Sequence, residues 1–215
     1  MNSVDLNSST KFFILASQSP RRAEILKNAH YFFVPFPVYV SEIPQKNLSL
    51  DEQIIDIARR KASSCYEKWA DKSLDAVILA SDTMVCIAEE DSNGQCIYSS
   101  LGKPKDEKQA FDFLARLSGH AHEVKTALTL IDLKTQKEIS HIETTKVFLK
   151  NLSDKDIQDY IQTGEPMDKA GAYAIQGLGK KFIDHFDGDY NNVVGLPLSA
   201  LENIITINKW LMRRT

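Results

Sequence analysis

Cysteine is scarce in this chain of 215 residues, and what there is does not pair by spacing: Cys65, Cys86 and Cys96 are odd in number and include no C-x-x-C step. That excludes a disulfide framework or a zinc ribbon as the source of stability and fits a reducing compartment. Long apolar runs are missing too. The polar opening is followed by FFILA at 12–16, far shorter than a signal-peptide core or the roughly 20 residues of a membrane helix, so a soluble, cytoplasmic protein with no membrane partner is expected. No sign of charge dominates: 26 Lys and Arg face 29 Asp and Glu, a formal net charge of -3. Without a basic field, a nucleic-acid partner is excluded, and any polyanion must be small and locally held. Glycine numbers nine, six of them between 164 and 195, which marks that stretch as ordered loops where backbone approaches something closely.

What is present is ordinary globular composition, 43% hydrophobic and 26% charged, in a chain long enough to bury about 70% of its unfolded surface. Repeats and low-complexity linkers are absent, so residues 11–215 are expected to form one domain, with 1–10 poorly ordered. Residues 11–16 read as a strand, SQSP as a turn, and RRAEILKNA as a helix with Ser19 at the N-cap and Pro20 at the first helical position. Apolar positions Ile54, Ile57, Ala58, Cys65 and Trp69 recur at helical spacing over 50–70, and Lys61 lies on the same stripe. Residues 76–88 (AVILASDTMVCIA) form a nearly continuous apolar strand interrupted by Ser81, Asp82 and Thr83. A hairpin turning near Asn93-Gly94 leads to the strand CIYSS, and a helix spans 106–117. Strands follow at 124–133 and 143–149, then a helix capped by Ser153 and running to Gln162, and a closing helix opened by Pro197 whose apolar positions include Leu201, Ile204, Ile205 and Trp210.

Asp82 is the most informative residue, because an ionised carboxylate in an apolar strand requires a cation or a metal beside it. The bland reading is a carboxylate capping a turn at the strand's exposed end. Ser17-Gln18-Ser19-Pro20-Arg21-Arg22 joins hydroxyls, a helix N-terminus and two guanidinium groups, which suits phosphate but also describes an ordinary capped helix. Lys61 and Lys103 are further candidate phosphate contacts. Each taken alone reads as a snorkelling lysine or a plain turn. In 165–177 (EPMDKAGAYAIQG), Gln176 has the paired donor and acceptor to read a base edge, whereas Asp168 and Lys169 read equally well as a surface pair. The five histidines show no metal spacing beyond the alternate pair His120 and His122, and are read as bystanders.

Taken in order, SQSPRR, ASDTMV, GKP, LSGHAHEVKTAL, GEPMDKAGAYAIQGLG and GDYNNVVGLPL resemble the Maf family of nucleoside triphosphate pyrophosphatases over nearly the whole chain. The resemblance implies an α/β fold in which a twisted mixed sheet and flanking helices form two lobes around a deep cleft, related to the inosine triphosphatases. It implies hydrolysis of a nucleoside triphosphate to the monophosphate and pyrophosphate with a divalent cation, Mg2+ or Mn2+, as cofactor, so that abnormal nucleotides are cleared. On that basis Asp82 is the acidic catalytic residue, Ser17, Arg21 and Arg22 form the phosphate-binding turn, and Lys61 and Lys103 are the two lysines. Glu42 joins Asp82 in holding metal. Arg22, Thr83 and Gln176 match the dTTP/UTP branch rather than the 7-methyl-GTP branch, with modified pyrimidine nucleotides as further candidates. A homodimer is left open, and the competing function is a nucleotide-binding regulator of cell division or septum formation without turnover.

Overall fold

One long strand sorts the chain into layers. The computed structural model describes residues 10–45, 47–90, 93 and 95–215, and in it β3 (Ala76–Glu90, 15 residues) is the junction of a seven-stranded mixed sheet. β1 (Phe12–Leu15) runs parallel to the first residues of β3, from Phe12↔Ala76 to Leu15↔Leu79, and parallel to β2 (Phe33–Pro35). On the other side of β3 come β5 (Ala121–Asp132), β6 (Glu138–Leu149) and β7 (Ile183–Asp187), each antiparallel to its neighbour. β4 (Cys96–Leu101) folds back on the far half of β3, from Val85↔Leu101 to Glu90↔Cys96. β1 and β4 therefore occupy the same side of β3 without meeting. Between them, residues 80–84 have a strand partner only in β5.

The helices attach by the two-residue alternation of β3. Val77 and Leu79 join Phe13 and Leu15 beneath α1 (Pro20–Asn28) and α6 (Leu198–Ile207), meeting Leu26, Leu201 and Ile204. Ile78 and Ala80 point the other way, onto Ala62 and Cys65 of α2 (Leu50–Lys68). Further along, Met84 and Cys86 meet Ile54 and Ala58 of α2. Val85 and Ile87 meet Leu114 and Leu117 of α3 (Glu107–Leu117) and Ile157 of α4 (Asp154–Ile161). By the same parity Asp82 must face α2, and Ser81 and Thr83 the opposite side.

Local signals set the helix starts. Ser49 with Glu52 and Ser153 with Asp156 close reciprocal capping boxes, and Asp106 accepts from the Gln109 amide. Ser19 precedes Pro20 as the sequence predicts, but its side chain makes no cap bond; instead Ser17 Oγ accepts from the Ser19 amide at 3.1 Å. Two strands, β2 and β7, escape the sequence reading, and β5 and β6 begin earlier than the predicted 124 and 143. Trp210, assigned to the closing helix, lies beyond its end at Ile207, half-buried against the same core. The expectation for residues 1–9 and the hairpin tip at Gly94 lie outside the described residues. Among the described residues no helix is long and apolar enough to cross a membrane.

Candidate active site

Where β3 has lost β1 and has not yet met β4, a cavity of about 840 Å³ opens. The open side of residues 80–84 admits groups from both faces of the sheet, so side chains that alternate along β3 reach one space. All nine residues singled out in the sequence line it: Ser17, Arg21 and Arg22 from the β1–α1 turn and α1, Glu42 from the segment after β2, Lys61 from α2, Asp82 and Thr83 from β3, Lys103 from the loop after β4, and Gln176.

Asp82 finds its cation in Lys61. The ammonium donates to Asp82 Oδ1 at 2.6 Å and lies 2.6 Å from Glu42 Oε1, with the lysine side chain 9% exposed, Asp82 14% and Glu42 49%. A lysine on the apolar stripe of α2 is thus held inward by two carboxylates rather than snorkelling to solvent. Burial pushes the Glu42 carboxyl up, but the hydrogen bond and charge of Lys61, with Lys103 and Arg22 further off, outweigh it and hold the group below the usual carboxylate range.

The two arginines of the turn have different surroundings. Arg22 donates from Nη1 to Ser81 O at 2.8 Å, from Nε to Gly195 O at 2.9 Å, and from Nη2 to Thr83 Oγ1 at 3.3 Å. Its guanidinium therefore bridges the strand gap where β3 lacks a neighbour. The side chains of Arg21 and Lys103, by contrast, make no hydrogen bond or ion pair with any described residue, although both line the cavity. Their charged groups are uncommitted to any described protein acceptor, whereas most of the Arg22 donors are engaged.

Gln176 sits just before a 3₁₀ turn, Gly177–Phe182, that is fastened by Glu165. The Glu165 carboxylate accepts from the Leu178 and Gly179 amides at 3.0 Å each and from Tyr160 Oη at 2.9 Å. Upstream, Gly171 donates its amide to Gly102 O at 3.1 Å, tying the Gln176 segment to the Lys103 loop. Gly171 has φ 70°, and a Cβ there would stand 3.0 Å from both methyls of Val85. Gly171→Ala is therefore expected to lower stability by about 1–3 kcal/mol through left-handed strain and overlap, which lowers Tm by roughly 2–10 °C for a chain of this size. It should also raise KM for a nucleotide substrate, because two walls shift together. A thermal melt within 1 °C of the wild type would contradict this account.

Residues 12–207 match the sequence model of the Maf-like protein family. The chain belongs to that family. It is 50% identical over 194 residues to the dTTP/UTP pyrophosphatase of Bdellovibrio bacteriovorus, an alignment covering 90% of this chain and 96% of that one. The dTTP/UTP pyrophosphatase of Bacillus velezensis is 44% identical over 193 residues, covering 88% and 93%. At greater distance, the Ham1 protein of Staphylococcus aureus is 13% identical with a TM-score of 0.45, over 92% of this chain and all of that one.

In this Maf-like chain the donor set suits a hard cation. Glu42 and Asp82 converge on one ammonium, so their oxygens lie close together, and no cluster of three His, Cys, Asp or Glu side chains exists among the described residues. Two carboxylates completed by substrate phosphate oxygens are the usual holding set for Mg2+. Sequence reasoning missed other parts of the wall. His122, read as a bystander, is 2% exposed and lies 2.6 Å by Nε2 from the oxygen of Tyr173, which lines the cavity; burial pushes its pKa down to about 4, so the ring is neutral. Asp168 and Lys169 also line the cavity. The alternation H-A-H-E-V, entering a strand with only one parity buried, was the one signal for His122.

Proposed function

We propose that this protein hydrolyses dTTP and UTP between the α and β phosphates, releasing the nucleoside monophosphate and pyrophosphate. The observation that carries the reading is the pairing, in one cavity, of cations free to grip phosphate (Arg21 and Lys103) with a lysine-braced carboxylate, Asp82. A protein that only bound nucleotide would be better served without that carboxylate, which repels phosphate, so turnover is favoured over a purely regulatory role. The Maf-like relatives named dTTP/UTP pyrophosphatases support the substrate class.

Phosphoryl transfer needs positioning and charge neutralisation more than covalent chemistry. Arg21, Lys103 and the amide end of α1 hold the phosphates. Lys61 aims Asp82 through its hydrogen bond to Oδ1, and Asp82 orients the attacking water and accepts its proton. Asp82 and Glu42 would hold a divalent cation, Mg2+ or Mn2+, which when bound would supply Lewis-acid neutralisation of the triphosphate. Arg22 serves by fixing Ser81, Thr83 and Gly195 rather than by gripping phosphate. Gln176, donating and accepting at once, pairs with the carbonyl and ring N–H that uracil and thymine present, whereas cytosine presents an acceptor nitrogen and an amino group.

A pyrophosphate-release assay over UTP, dTTP, CTP and 7-methyl-GTP, with and without Mg2+, tests the reading. UTP and dTTP should exceed CTP in kcat/KM by about 10-fold or more where the bound base holds the Gln176 amide in the orientation that meets a carbonyl and a ring N–H, so that cytosine leaves a polar partner unpaired at about 1–3 kcal/mol. A preference for CTP or 7-methyl-GTP overturns the base assignment, and no release from any triphosphate overturns the activity.

A further inference from the structure

The sequence leaves Asp168 and Lys169 as an ordinary surface pair, but their exposures are inverted for one. The Lys169 side chain is 13% exposed and its ion-pair partner Asp168 is 71% exposed. A lysine normally sends its charge outward, so here the long cationic side chain lies within the wall and the short carboxylate stands at the opening. Backbone accounts for this. Lys169 links two short 3₁₀ turns, Glu165–Asp168 and Ala170–Ala172, in an extended conformation (φ -113°, ψ 135°) that breaks the helical path between them. Two residues on, the Gly171 amide is bonded to Gly102 O, which brings this segment against the loop carrying Lys103.

Asp168 also lies in the field of a second cation. Burial pushes its carboxyl up, but Lys169 and, further off, Arg21 bring it below the usual range. Glu165 feels Lys169 as well, yet its oxygens are committed to Leu178, Gly179 and Tyr160. Asp168 is thus the exposed anion among cations that line a cavity read above as a triphosphate site. An exposed single carboxylate is a weak competitor, because solvent screens it; a polyphosphate carries several charges and more acceptor oxygens.

We propose that Lys169 is a third phosphate-binding cation of this cavity, and that Asp168 occupies it in the ligand-free protein and is displaced by the phosphate chain. This rests on the nucleotide reading of the cavity and adds a residue to it. Because Lys169 belongs to the segment that leads to Gln176, phosphate binding and the base-reading amide are then set by one stretch of chain.

Calorimetric titration of the full chain with inorganic tripolyphosphate separates the two readings, since it needs neither base nor turnover. Lys169→Met, which keeps the apolar stem, should weaken binding by about 10-fold or more and make log K less steep against log salt, while Lys169→Arg should retain most of the affinity. Asp168→Asn should tighten binding by about two- to five-fold, the sign a merely structural pair would not produce. Wild-type affinity in Lys169→Met, or no tightening in Asp168→Asn, overturns the proposal while leaving the cavity's function standing. If the wild type does not bind tripolyphosphate, the phosphate reading of the whole cavity fails and this proposal with it.

Discussion

Asp82→Asn is expected to lower kcat by about 100-fold or more with the fold intact, because the amide preserves the side chain's shape but can neither accept a proton nor hold a cation by charge. The structure makes the folding half of this expectation specific. Asp82 meets α2 through one bond, Lys61 Nζ to Oδ1, and an amide oxygen can still accept it. Glu42 remains to balance the ammonium. The melting temperature should therefore stay near that of the wild type while turnover at saturating Mg2+ collapses. A well-folded Asp82→Asn enzyme with near wild-type kcat would remove Asp82 from the chemistry.

Lys61→Met should be nearly as damaging to turnover, about 100-fold, and should carry a pH signature that Asp82→Asn lacks. Methionine fits a position that is 7% exposed on an apolar stripe, so packing survives. What is lost is the cation that both carboxylates share. In the wild type Lys61 is the chief influence holding Glu42 low against its burial; without it, the Glu42 pKa must rise. The acid limb of the kcat/KM profile should then move to higher pH. The stability consequence has a definite sign. A carboxyl whose pKa is depressed on folding stabilises the protein above its unfolded pKa, and that contribution is lost as pH falls through the folded pKa. The wild type should thus exceed Lys61→Met in Tm near neutrality, and the difference should shrink only as pH falls below the ordinary glutamate value of about 4.3, through the lowered pKa of Glu42. A Tm difference independent of pH would show that Lys61 acts through packing alone.

The helices were legible because their information is local. Ser153 caps the helix its sequence predicts, and the stripe from Ile54 to Cys65 faces the sheet. β7 was not legible: four of its five residues are exposed, so it lacks the apolar run that betrays a strand, and it is held by pairing with β6. β2, with three residues ending in Pro35, is too short for periodicity to register.

The site divides along the same line. By itself the sequence posed the choice at Asp82 between a paired carboxylate and a turn cap, since an ionised group inside an apolar strand is costly, and the family resemblance marked the turn, the lysines and Gln176 as phosphate and base contacts. Only the tertiary structure decided that a cation does pair with Asp82 and which one, that Glu42 shares it, that Arg22 is bonded to Ser81, Thr83 and Gly195 while the side chains of Arg21 and Lys103 are uncommitted, and that Lys169 lies inside the wall. Those outcomes follow from β1 and β4 taking the same side of β3 and leaving residues 80–84 open between them. Strand order joins residues far apart in the chain, and neither the 3.6-residue nor the two-residue period carries information over that distance.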